Sequence, residues 1–119
     1  LHAGDIVEEG NRLDQWDLFL KYQAMTNLPL VSVMGNHDVY GDGYTTYNRL
    51  IRNPQNGPEG YKNSVYYKEF GDARIIVLNS EVGRKGMEDQ LEWLRESIKS
   101  NEKQPWRYSL QYWTRWALT

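Results

Sequence analysis

Two short apolar runs, each stopped by glycine and a polar residue, constrain this chain more than any other feature. The first is Leu1-His2-Ala3-Gly4-Asp5, and the second is Leu30-Val31-Ser32-Val33-Met34-Gly35-Asn36-His37-Asp38. Between them Leu13, Trp16, Leu20 and Gln23 fall at i, i+3, i+7 and i+10, with Phe19 widening the stripe. That spacing predicts a helix with one apolar face, ended by Asn27 and Pro29. Strand, helix, strand in this order predicts a βαβ unit whose strands run parallel, because the crossover returns the chain in its original direction. Leu1 to Ala3 read as the last residues of a strand that begins upstream.

Residues 35 to 63 are rich in Gly, Asn, Asp and Pro and predict a long irregular region, of the kind that usually carries function in a compact domain. A short helix from Tyr44 to Ile51 within it places Tyr47, Leu50 and Ile51 on one side. Ser64 to Phe70 and Arg74 to Asn79 read as two strands joined at Gly71-Asp72. Met87 to Lys99 predicts a helix that buries Leu91, Leu94 and Ile98 and turns Glu88, Asp89, Glu92 and Glu96 to water. The last stretch, from Trp106 to Thr119, concentrates Trp106, Tyr108, Tyr112, Trp113 and Trp116 and differs in composition from the rest.

Composition removes several classes of function. With 14 Lys and Arg against 16 Asp and Glu, the 119-residue chain has a formal charge of -2 and no basic stripe for nucleic acid. It has no cysteine, which excludes disulfides, thiolate zinc sites and a cysteine nucleophile. The longest apolar run, Ile75 to Leu78, is far short of the roughly 20 residues a membrane helix needs. A single α/β domain remains.

The candidate chemistry sits at the ends of the two opening runs. In a parallel sheet the carboxyl ends of the strands share one edge, and ligands bind there. Asp5 and Asn36-His37-Asp38 are thereby predicted to converge. A carboxylate and an amide oxygen suit Mg, Mn, Fe or Zn ions, and a carboxylate can bridge two of them. Taken singly, Asp5 also fits a helix-capping role and Gly35 to Asp38 a plain turn. His2 reads as structural, Glu8, Glu9 and Glu81 as solvated loop residues. Tyr40, Tyr44 and Tyr47 either line a cleft or pack the long loop.

Gly4-Asp5 followed by Val33-Met34-Gly35-Asn36-His37-Asp38 resembles the calcineurin-like metallophosphoesterase family, whose members carry GD and GNH[DE] on successive strand ends. The resemblance extends through Ile75 to Ser80 and Gln90-Leu91-Glu92-Trp93-Leu94, covering about residues 1 to 106, with 107 to 119 as an atypical aromatic tail. It implies an α/β/β/α sandwich in which the βαβ unit leads into the strands of a mixed sheet. It further implies two metal ions, with Asp5 bridging them and Asn36 a ligand of the second. His37 would contact the phosphate and protonate the leaving oxygen, and Asp38 would orient His37. The reaction implied is hydrolysis of a phosphomonoester or phosphodiester, on a small molecule or a phosphoprotein, by a metal-bound hydroxide.

Departures accompany the resemblance. The family's upstream Asp-x-His, a later Gly-His pair and a downstream Gly-His-x-His have no counterpart here, where His2 and His37 are the two histidines. Gln111 falls near where a histidine would stand. Glu8 occupies the place of the metal-binding tyrosine of purple acid phosphatases, which argues against an iron–tyrosinate centre. These departures lead to an expectation that the chain is part of a domain with an incomplete centre. Ile75 to Leu78 would then be only partly covered, and the open sheet edges would promote self-association. The alternative reading is a non-catalytic scaffold or binding module. A weaker one is a glycan-binding surface built on Trp106, Trp113 and Trp116.

Overall fold

A computed structural model describes residues 1–100 and 106–111. The elements in chain order are α1 (Leu13–Thr26), α2 (Gly43–Leu50), β1 (Tyr66–Phe70), β2 (Ala73–Leu78), α3 (Gly83–Lys99) and β3 (Trp106–Gln111). The sheet order is β1-β2-β3. β1 and β2 form an antiparallel hairpin, with Phe70 opposite Ala73 across Gly71-Asp72. Gly71 adopts φ 55, a left-handed turn conformation that costs glycine little. β2 pairs in parallel with β3, Ala73 opposite Trp106 and Leu78 opposite Gln111. The sheet is therefore mixed, as the α/β reading requires.

The opening βαβ unit forms in reduced form. His2 and Ser32 make an isolated parallel bridge, in which His2 N–H donates to the Val31 carbonyl (2.8 Å) and Val33 N–H to the His2 carbonyl (3.0 Å). The expected strand over residues 30–34 is thus one bridge rather than a ladder. The two segments still run in the predicted direction.

Alternation along residues 31–34 sorts the core into layers. Met34 packs with Val7, Trp16, Tyr47 and Ile51, on the side of α1 and α2. Val31 and Val33 point the other way and pack against Tyr66 and Val77 of the sheet. Beyond the sheet, Val65, Ile76 and Leu78 pack with Tyr61, Tyr67, Trp93 and Leu94. Helices, bridge segment, sheet and α3 follow one another as four layers, each buried on the faces its neighbours require. Ile76, Val77 and Leu78 are consequently buried, so the expected partial cover is corrected for them, while Ile75 is half-buried.

α3 also departs from expectation. It begins at Gly83, one turn before Met87, and its buried positions are Gly86, Gln90 and Ser97, with Trp93 and Leu94 half-buried beside them. Leu91 and Ile98, predicted to be core, are 48% and 39% exposed. The reason is a polar anchor. Gln90 Oε1 accepts from Asn79 N–H (2.8 Å), while Nε2 donates to the carbonyls of Asn79 (2.8 Å) and Gly86 (3.1 Å). Satisfying the chain end after β2 rotates the helix about Gln90 and turns Leu91 outward. A second clamp is buried Arg74, which donates to the Ser97 carbonyl (2.8 Å), pairs with Glu69 and lies over the Tyr67 ring (3.9 Å). No helix among the described residues is long and apolar enough to cross a membrane.

Candidate active site

The loops after the two bridged segments meet at one corner. Gly4 and Asp5 both have positive φ, 101 and 52, which turns the chain sharply as it leaves the bridge. Such a conformation is uncommon for a non-glycine residue and is held only where its surroundings determine it. Here the determinant is the second loop: His37 N–H donates to Asp5 Oδ1 (3.1 Å). Gly35 completes the fit. A Cβ at Gly35 would lie 2.3 Å from both the nitrogen and Oδ1 of Asp5, so only glycine allows the loops to approach this closely.

Asp38 ties the same two loops from inside. It is fully buried, with Oδ1 accepting from Val7 N–H (3.1 Å) and Oδ2 from Gly35 N–H (2.8 Å). Burial raises its carboxyl above the usual aspartate range, although the backbone donors oppose that shift. Gly10 N–H donates to the His37 carbonyl (2.9 Å), drawing a third segment onto the turn.

The imidazole of His37 is oriented by backbone. Its Nδ1 meets the Glu8 carbonyl at 2.7 Å, and its ring packs against Tyr40 with centroids 4.8 Å apart. A carbonyl only accepts, so Nδ1 carries the proton and Nε2 is left for exchange. The expected pairing of His37 with Asp38 is thereby corrected: the Asp38 oxygens hold Val7 and Gly35, and Glu8 O takes the orienting position. Glu8 matters through its main chain, whereas its side chain is exposed as predicted. Asn36 Nδ2 donates to the Tyr40 hydroxyl (3.4 Å), leaving Oδ1 without a hydrogen bond among the described residues.

The structure therefore brings Asp5, Asn36, His37 and Asp38 to one edge. Asn79, just beyond β2, lies on the same edge, its Nδ2 facing the Met34 sulfur (3.7 Å). Gln111 joins that edge by register. Of the tyrosines, Tyr40 flanks His37, Tyr44 is partly exposed, and Tyr47 is core. Tyr47 donates no ligand to the corner; its hydroxyl meets Ser32 Oγ (2.7 Å), and burial pushes its phenol up to about 12. The His2 ring packs edge-on to Phe19 at 5.9 Å. The weaker glycan idea rests on Trp106, at the start of β3, with Trp113 and Trp116, which lie outside the described residues.

Asp5 and Asn36 Oδ1 are hard oxygen donors of the kind Mg or Mn prefers. A closed metal site takes four or more ligands. Among the described residues no group of three or more His, Cys, Asp or Glu stands together to hold an ion. Asp5 and Asn36 thus fit a share of a metal centre by donor type, and the whole of one by neither count nor charge.

An α/β fold that gathers a carboxylate, an amide and an imidazole where its parallel segments end has the layout of a ligand-binding edge. The chain belongs to the calcineurin-like phosphoesterase family, which matches residues 1–116. That family is generally hydrolytic and generally uses divalent metal ions. Comparison with curated proteins and with solved structures gave no match.

Proposed function

We propose that this chain carries the Asp5 and Asn36-His37-Asp38 part of a phosphoester hydrolase site, acting on phosphomonoesters or phosphodiesters. The observation that supports it best is the hydrogen bond from His37 N–H to Asp5 Oδ1 at 3.1 Å, which joins two segments distant in sequence at the ligand-binding edge. Asp5 and Asn36 Oδ1 would hold two divalent or trivalent ions (Mn, Fe, Zn or Mg) together with further donors. Bound ions supply charge neutralisation for the phosphoryl group. His37 holds its proton on Nδ1 against the Glu8 carbonyl and presents Nε2 to the substrate. As imidazolium it would donate from Nε2 to the leaving oxygen. Asp38 acts as a positioning residue, keeping the Asp5 and Asn36 loops in register through Val7 and Gly35.

Hydrolysis of p-nitrophenyl phosphate with Mn²⁺ tests the roles, using the chain and its Asp5→Ala and His37→Ala variants. The proposal expects loss of at least about a hundredfold in each variant, the size usual for removing a general acid. Equal, measurable hydrolysis in all three would defeat it. A second reading, a scaffold that binds without turnover, is supported by the histidine content of two, one of them packed on Phe19. Phosphate-ester binding without turnover would favour it. The exposed Leu18, Tyr22, Met25 and Leu28 also support the proposal that isolated chains self-associate.

A further inference from the structure

The polar hollow at the far end of α2 is separate from the corner just described. It has a volume of about 320 Å³ and is lined by Asn48, Arg52, Asn53, Gln55, Lys62 and Asn63. Gly43, the first residue of α2, abuts Asp38, whereas Asn48 and Arg52 lie at or just beyond the other end. Five helical rises of about 1.5 Å each place Asn48 about 7.5 Å along α2 from Gly43.

Its floor is built before any ligand arrives. Asn63 adopts φ 75, and its Oδ1 accepts from Asn53 N–H (2.8 Å) and Gln55 Nε2 (3.2 Å). Asn63 Nδ2 donates to Asn48 Oδ1 (2.9 Å), and the Asn63 carbonyl accepts from Asn53 Nδ2 (2.9 Å). These bonds occupy Asn48 Oδ1 and Asn63 Oδ1, while the Asn48 amide N–H₂ and the Arg52 guanidinium have no hydrogen bond among the described residues; the remaining lining acceptors, Asn53 Oδ1 and Gln55 Oε1, are neutral amide oxygens. Lys62 adds a third donor, shared with Glu59 at 2.6 Å. Glu59 is the acidic group beside the hollow and is almost wholly exposed, so the balance of Arg52, Lys62 and Glu59 is positive.

We propose that this hollow is a binding site for a small oxyanion, taken as the phosphate group of a polar ligand. Arg52 supplies the planar fork that matches phosphate oxygens, Lys62 a second charge, and Asn48 a neutral donor. The site stands without the hydrolase reading, because none of its residues belongs to the Asp5 corner.

The test is a titration of the metal-free chain with inorganic phosphate, followed by ¹H–¹⁵N spectra at constant ionic strength. Saturable shifts confined to residues around 48, 52, 53, 55 and 63 are expected. Arg52→Gln and Lys62→Gln should each weaken binding by about tenfold, the loss expected for a charge-assisted hydrogen bond. Glu59→Gln should tighten it by releasing Lys62, and this gain keeps the test decisive if Arg52→Gln fails to fold. Arg84→Gln, a charge removed from α3, and Asp5→Ala should both leave it unchanged. Shifts centred on residues 5–8 and 35–40, or equal binding by wild type, Arg52→Gln and Glu59→Gln, would overturn the proposal.

Discussion

The corner at Asp5 and the seat of α3 on the sheet are both polar junctions, yet they are specified in opposite ways. At the corner, close backbone approach decides the geometry. Gly35 lets Asp5 in, Asp38 gathers two amides, and His37 is aimed by a carbonyl. At α3 a single side chain decides it, Gln90 satisfying both backbone groups of Asn79 while leucine and isoleucine on the same helix stay in water. The difference teaches that burial here follows the demand of backbone polar groups before it follows hydrophobicity. An unpaired buried amide costs more than an exposed leucine returns.

Four substitutions probe the two regions and the core between them. The largest effect is expected from Gly35→Ala, whose new methyl meets backbone and carboxylate atoms of Asp5 that have no room to retreat. Denaturant unfolding should show a loss of about 3 kcal/mol or more. A loss below 1 kcal/mol, on the same scale, would mean that the corner is loosely packed.

Next comes Gln90→Ala against Leu91→Ala. Removing Gln90 strands Asn79 N–H and C=O and should cost about 2–3 kcal/mol. The neighbouring leucine should cost under about 1 kcal/mol. If the order of midpoints is reversed, hydrophobic burial governs α3 after all.

The smallest effect concerns pH. Tyr47, pushed up to about 12 by burial, favours its neutral form in the folded state more than in the unfolded chain. Its contribution is fully present below the unfolded value near 10 and is lost as pH rises from there through about 12. Tyr66 is also shifted upward by burial and steepens the same decline. Each ionising tyrosine should add about 1.4 kcal/mol of lost stability per pH unit. Tyr47→Phe should flatten the slope between pH 10 and 11, where an unchanged slope would remove Tyr47 as its source.

The convergence of Asp5 with Asn36, His37 and Asp38 was legible because it needs only two apolar runs, a crossover and the rule that strand ends share an edge. The Gly71-Asp72 hairpin and the shared side of Tyr47, Leu50 and Ile51 were legible from turn chemistry and periodicity, whereas the choice between cleft and core for Tyr47 was not. The partner of His37 was not, since a main-chain carbonyl carries no residue signature; a carboxylate next in sequence drew the inference instead. The buried face of α3 was hidden for a related reason. Gly86, Gln90 and Ser97 have no hydrophobic signal, so periodicity followed the Leu91-Leu94-Ile98 stripe beside them. The opening strand pair is seen as the His2–Ser32 bridge, in the parallel direction that the crossover requires.

Paramagnetic broadening by Mn²⁺ in ¹H–¹⁵N spectra asks whether the two loops face one cation. Amides of residues 5–8 and 35–40 should broaden together at low Mn²⁺, with α3 untouched, and Asp5→Ala should abolish the effect. Broadening of only one loop, or of both equally in Asp5→Ala, would show that the shared corner does not act as a single site.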